Sequence, residues 1–150
     1  MLVEFGNITD YLPSLKYYKS IFCVSGALSV DKDERVKMMA RGAPRQWWKA
    51  EQIATKFIPM VIEEYLKCKP QLMLTHDAPI CLKNHLADSD RHLRFDQEYN
   101  RTTSLLQLLF SLHQPERWIF GHYHMIFSQT VMNCHFTCLP EAGIKEIELL

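Results

Sequence analysis

The 150-residue chain carries 17 Lys and Arg against 17 Asp and Glu, a balance that leaves no electrostatic footprint for a polyanion. Its length suits one domain with a sizeable core, and no apolar run approaches the roughly 20 residues that span a bilayer. Composition therefore predicts a single soluble, cytoplasmic domain over residues 1–150, with no membrane segment and no nucleic-acid-binding patch. A small phosphate ligand stays open.

The first residues, MLVEFGNITDYLP, lack both the basic start and the apolar core of a signal peptide. Residues 21–26, IFCVSG, read as a buried strand, and GALSVDKDER sets Ser29, Asp31, Asp33 and Arg35 just past its tip. Trp47 and Trp48 precede KAEQIATKFIPMVIEEYLK (49–67), where Ile53, Phe57, Met60, Val61 and Leu66 recur near helical spacing. Pro59 either kinks this helix or starts a second one. Pro70 stops it, and QLMLT (71–75) reads as a short buried strand ending at His76. The polar stretch 83–96, KNHLADSDRHLRFD, reads as a solvated loop from which Arg91, His92 or Arg94 could overhang a cleft. A second helix, EYNRTTSLLQLLFSLH (98–113), turns Leu105, Leu108, Leu109 and Leu112 inward, and Pro115 ends it. RWIF (117–120) is the next strand, leading to Gly121 and His122. Three further strand-like segments, roughly 125–132, 134–139 and 144–150, with turns near Asn133 and at PEAG, suggest an antiparallel meander.

Five cysteines, an odd number set mostly in apolar runs, suit buried thiols in a reducing compartment better than a disulfide framework. In CHFTC (134–138) an extended strand holds the two cysteines about 13 Å apart, too far for one ion, so the segment reads as core.

The unit helix, proline, strand, histidine occurs twice, which implies parallel strands with helices on a face, hence an α/β fold. Ligands of such sheets bind beyond the carboxyl ends of the strands, so His76 and His122 are expected on one rim. In IFGHYHMIF (119–127), strand alternation turns His122 and His124 to the same side, about 6.6 Å apart along the chain. That spacing suits two ligands for neighbouring metals, while H-x-H taken alone reads equally as two ordinary strand-end histidines, one hydrogen-bonded and one solvated. Three imidazoles converging there would suit a divalent ion, and Gly121 leaves room for close approach. Tyr123 points the other way, into the core. Asp77 has two readings: a carboxylate orienting a ligand histidine, or a turn aspartate bonded to its own backbone. Arg35 either faces a substrate phosphate or pairs with Asp31.

Four motifs, GALSVDKDERV (26–36), the WW with its following glutamate (47–51), LTHDAP (74–79) and WIFGHYH (118–124), stand in this order. Together they resemble the second half of the calcineurin-like metallophosphoesterases of the bacterial and phage-type branch, over roughly residues 20–139. The resemblance implies part of a four-layer α/β/β/α sandwich with a two-metal site at the sheet rims. By the same resemblance His76 and His122 would ligate the second metal and His124 would reach the first. Apart from the resemblance, Asp31 and Ser29 either support the rim, as Asp77 and Arg35 could, or simply hold the loop. The implied cofactors are two divalent ions (Mn, Fe, Zn or Ni), and the implied reaction is phosphoester hydrolysis by a metal-bridged hydroxide.

The family's earlier motifs, D-x-H, G-D-x-x-D and G-N-H, do not occur ahead of these four, and with them the bridging aspartate and the acid/base histidine are missing. Gly6-Asn7 is followed by Ile8 where the histidine would stand. The resemblance is thus to the C-terminal portion of a larger enzyme: a truncated product, a mis-called start, or one piece of a split protein with a co-encoded partner. At most one weakly held ion and poor hydrolysis are expected of this chain alone. The alternative is a non-catalytic remnant or interaction module that keeps half of the metal site.

Overall fold

Short apolar runs bounded by prolines and turns become the strands, and the segments between the first three supply the helices. The computed structural model describes residues 21–29, 32–44, 51–89, 100–141 and 143. Among these, β1 (Ile21–Val24) is followed by α1 (Lys32–Ala40), α2 (Ile58–Cys68) and β2 (Leu72–Thr75). Then come α3 (Lys83–Ser89), α4 (Arg101–Leu112), β3 (Arg117–Phe120), β4 (Phe127–Val131) and β5 (Cys134–Cys138). The result is an α/β fold with one mixed sheet in the order β1-β2-β3-β5-β4. β1, β2, β3 and β5 run parallel, and β4 pairs antiparallel with β5 at the edge. No helix among the described residues is long and apolar enough to cross a membrane.

The predicted meander is corrected in one respect. β4 and β5 form a hairpin turned at Met132-Asn133, but β5 inserts beside β3 and pushes β4 outward. Burial explains the order: β5 buries four of its five residues, β4 only Phe127. The apolar strand takes the interior place and the polar one the edge. Segment 144–150 lies outside the described residues.

Register is fixed by a row of large side chains. Phe22, Met73, Trp118 and Phe136 stand opposite one another across β1, β2, β3 and β5, all buried. Trp118 stacks on Phe136 with ring centres 5.6 Å apart, and Phe110 of α4 meets both edge-on. Tyr65 of α2 packs edge-on against Phe22 at 5.3 Å. Its hydroxyl donates to the His113 carbonyl at 2.7 Å, and the His113 ring contacts the Pro70 carbonyl at 2.9 Å. These two bonds tie the ends of α2 and α4 to the entrance of β2. On the opposite face of the sheet Leu72 and Ile119 are also buried, outside this helix-side cluster.

The helices depart from their predicted phases. The first begins only at Ile58, after a 3-10 turn over Thr55–Phe57, with Pro59 in its first turn, so proline starts the helix rather than kinking it. Val61 and Tyr65 face the core, and Leu66 is exposed. In α4 the inward residues are Leu105, Leu106, Leu109 and Phe110, while Leu108 and Leu112 face out. Buried Thr102 and Thr103 belong to the same stripe, which rotates the buried face away from the all-leucine spacing. Asn100 caps α4, its Oδ1 accepting from Thr103 N at 2.9 Å. The predicted loop 83–96 is helical through Ser89, because Leu86 packs into the core beside Leu82. The rest of that stretch, with Arg91, His92 and Arg94, lies outside the described residues, as do Trp47 and Trp48.

All five cysteines are free thiols, and Cys134 and Cys138 lie buried in β5. Burial pushes the Cys134 thiol from its ordinary 9.0 up to about 12, and the Tyr65 hydroxyl is pushed up from 10.0 for the same reason. Folding therefore favours their neutral forms, and that stability, complete below pH 9, is lost as pH rises toward 12. The melting temperature is expected to fall across this range. Cys134→Ala is expected to show a shallower fall between pH 9 and 10, measured by thermal denaturation.

Candidate metal centre

Because β2 and β3 are parallel neighbours in register, the residues that follow them emerge side by side. Leu74 stands opposite Ile119, and the ladder continues past the strands, with Gly121 N donating to the His76 carbonyl at 3.2 Å. His76 and His122 thereby meet on the rim beyond the carboxyl ends, their ring centres 5.1 Å apart and nearly edge-to-face. An ion about 2.0–2.1 Å from one nitrogen of each ring lies about 3 Å from each ring centre. A tetrahedral angle at that ion separates the ring centres by about 5 Å. The observed spacing fits two imidazoles on one divalent ion. His76 is exposed and His122 half-exposed.

His124 stands differently. β3 ends at Phe120, so the two histidines lie in a loop, and the alternation expected of an extended strand does not apply. Both take left-handed backbone conformations, φ 69° at His122 and 52° at His124. Histidine enters this region more readily than most residues, yet two such positions in one short loop mark a strained segment of the kind that gathers at functional sites. His124 is exposed, and its Nδ1 lies 4.0 Å from Glu141 Oε2. Among the described residues no group of three or more His, Cys, Asp or Glu stands close enough to hold one ion.

The loop is anchored from below by its middle residue. Tyr123 packs against the core as expected, though not by strand alternation, and its hydroxyl donates to Asp77 Oδ1 at 2.7 Å. Its ring packs edge-on against Phe120 and against His122. Asp77 is 1% exposed, and the same oxygen accepts from Ala78 N at 2.8 Å. The carboxylate thus plays the turn role and adds a tether to the loop that carries both histidines. Burial and the neighbouring Asp77 carboxylate push the Tyr123 hydroxyl far up, keeping it a neutral donor. Tyr123 is the site residue that sequence reasoning undervalued. The signal was its place between two histidines, with a carboxylate beside the third, His76.

Beyond β1 the rim is built by Glu51. Its Oε2 accepts from the Ser29 hydroxyl at 2.7 Å, and its carbonyl accepts from Ala27 N at 2.9 Å. Gly26 has φ +100°, and a Cβ there would meet the Glu51 carbonyl oxygen at 2.7 Å, so only glycine fits this crossing. Ser29 is accordingly bound to a carboxylate that fixes the loop. Arg35 lies half-exposed in α1, and Asp31 lies outside the described residues. At Gly121, by contrast, a Cβ would meet nothing within 4 Å and φ is ordinary, so its absence leaves open space at the rim rather than relieving a clash.

No protein-family model matches the sequence, and no curated protein matches it.

Tyr123→Phe removes a donor from a buried carboxylate, and a loss of about 1–3 kcal/mol is expected in chemical denaturation. Gly121→Ala is expected to stay within about 0.5 kcal/mol of the parent in the same assay.

Proposed function

We propose that this chain supplies part of the metal grip of a metal-dependent phosphoester hydrolase. His76 and His122 hold one divalent ion, and His124 reaches a second. The observation that carries this reading is the 5.1 Å pairing of two accessible imidazoles at the carboxyl ends of adjacent parallel strands. The four ordered motifs that resemble the calcineurin-like metallophosphoesterases support it. Burial of Leu72 and Ile119 on the face away from the helices is what a second layer of a four-layer sandwich would produce. Five free thiols suit a reducing compartment such as the cytoplasm.

His76 and His122 would hold a divalent ion (manganese, iron, zinc or nickel), which when bound would supply polarisation of a phosphoryl oxygen and a lowered pKa of nearby water. The chain's own contribution is positional. His76 offers a nitrogen from the end of β2, and His122 offers one from a strained turn held by Tyr123 on Asp77. His124 is exposed, with Nδ1 4.0 Å from Glu141 Oε2, and would be the residue to reach a second ion. A bridging carboxylate and an acid/base histidine are needed to complete the reaction. The motifs that carry them in the family do not occur ahead of the four matched ones, so a partner segment or co-encoded chain supplies them in this reading. A rival reading, an interaction module retaining half of the site, draws on His124 standing near Glu141 rather than with the other two histidines.

Calorimetric titration with Zn²⁺ or Mn²⁺ tests the assignment. One weakly bound ion is expected, with affinity falling more than about tenfold in His76→Ala and in His122→Ala and largely kept in His124→Ala. Binding indifferent to His76 and His122 would sink the ligand assignment. Little or no hydrolysis of p-nitrophenyl phosphate is expected from residues 1–150 alone, and robust manganese-dependent turnover would overturn the half-site reading. When a co-encoded chain bearing D-x-H and G-D-x-x-D is added, metal-dependent hydrolysis sensitive to His122→Ala is expected.

A further inference from the structure

The edge strand β4 raises a separate question, independent of the metal. Natural sheets blunt their edges with charges, prolines or bulges, because an open edge pairs with other chains. β4 has neither charge nor proline. Residues 126–133, IFSQTVMN, carry none of either, and among the described residues β4 pairs only with β5, in unbroken register. Ser128, Gln129 and Thr130 are exposed. The Ser128 and Thr130 hydroxyls each lie 3.1 Å from a ring nitrogen of His135 on β5, which pins the strand flat against its neighbour. Immediately beyond its two ends stand Ile126, 82% exposed, and Met132, 68% exposed, the two most exposed large hydrophobic side chains among the described residues.

We infer that β4 is a self-pairing edge that joins two copies of this chain across a two-fold axis at Gln129. Antiparallel pairing about that residue sets Phe127 opposite Val131 and Ser128 opposite Thr130 of the second copy. The exposed Ile126, just before the strand, and Met132, in the turn just after it, then flank the two ends of the joint. The absence of charge makes a second copy the fitting partner. A two-fold axis brings identical segments together, and any charge at its centre would oppose itself. The pairing also brings the turn at Met132-Asn133 of the second copy against the loop of residues 121–126 that carries His122 and His124.

Sedimentation velocity of the full chain tests this. A dimer is expected for the parent at tens of micromolar. Gln129→Lys and Gln129→Glu each place like charges on the axis, at an exposed position where the fold tolerates them. Each is expected to sediment as a monomer with an unchanged circular dichroism spectrum, and an equimolar mixture is expected to recover the dimer. A monomeric parent overturns the inference. So does a dimer that survives either substitution, or a mixture that stays monomeric.

Discussion

The register of the sheet is the constraint on which everything at the rim depends. A slip of one residue in β2 or β3 would turn Met73 or Trp118 to the opposite face and carry His76 or His122 with it. The row Phe22, Met73, Trp118 and Phe136, locked beneath Phe110 and Tyr65, makes that slip costly. Removing one large aromatic from such a core costs about 3–5 kcal/mol, much of the stability of a domain this size. The indole of Trp118 adds a directional lock, donating to Thr75 Oγ1 at 2.8 Å across to β2. Packing in the core thus sets the 5.1 Å separation of two imidazoles at the surface.

A second layer of control acts within the loop after β3. Left-handed residues at His122 and His124 cost free energy, and the loop keeps them because Tyr123 between them is held on buried Asp77. Strain and anchor belong to one device: the anchored residue fixes the backbone, and the strained residues present their rings outward. Glu51 has a comparable part on the far side of the rim, closing the turn after β1 over Gly26. Three strand ends are therefore each fixed by a carboxylate or tyrosine contact below the surface, and the histidines are left accessible above.

The strands and the rim were legible in the sequence because apolar runs ending in histidine or glycine are short and sharply bounded by proline. The helix faces were less so. Leucine spacing alone suggested Leu108 and Leu112 as core, but Thr102, Thr103 and Phe110 share the buried stripe and rotate it. Alternation failed at His122 because β3 stops at Phe120 and the backbone turns left-handed, which no side-chain pattern announces. Strand order was hidden too. A hairpin pattern fixes β4 against β5 without saying which of them docks on β3, and the greater burial of β5 decided it.

Whether the two histidines at the ends of β2 and β3 grip one ion is most directly tested by anomalous diffraction from crystals soaked in Zn²⁺. A peak about 2.0–2.1 Å from a nitrogen of both His76 and His122 is expected. A peak elsewhere, or none at this pair under saturating metal, would contradict the central claim.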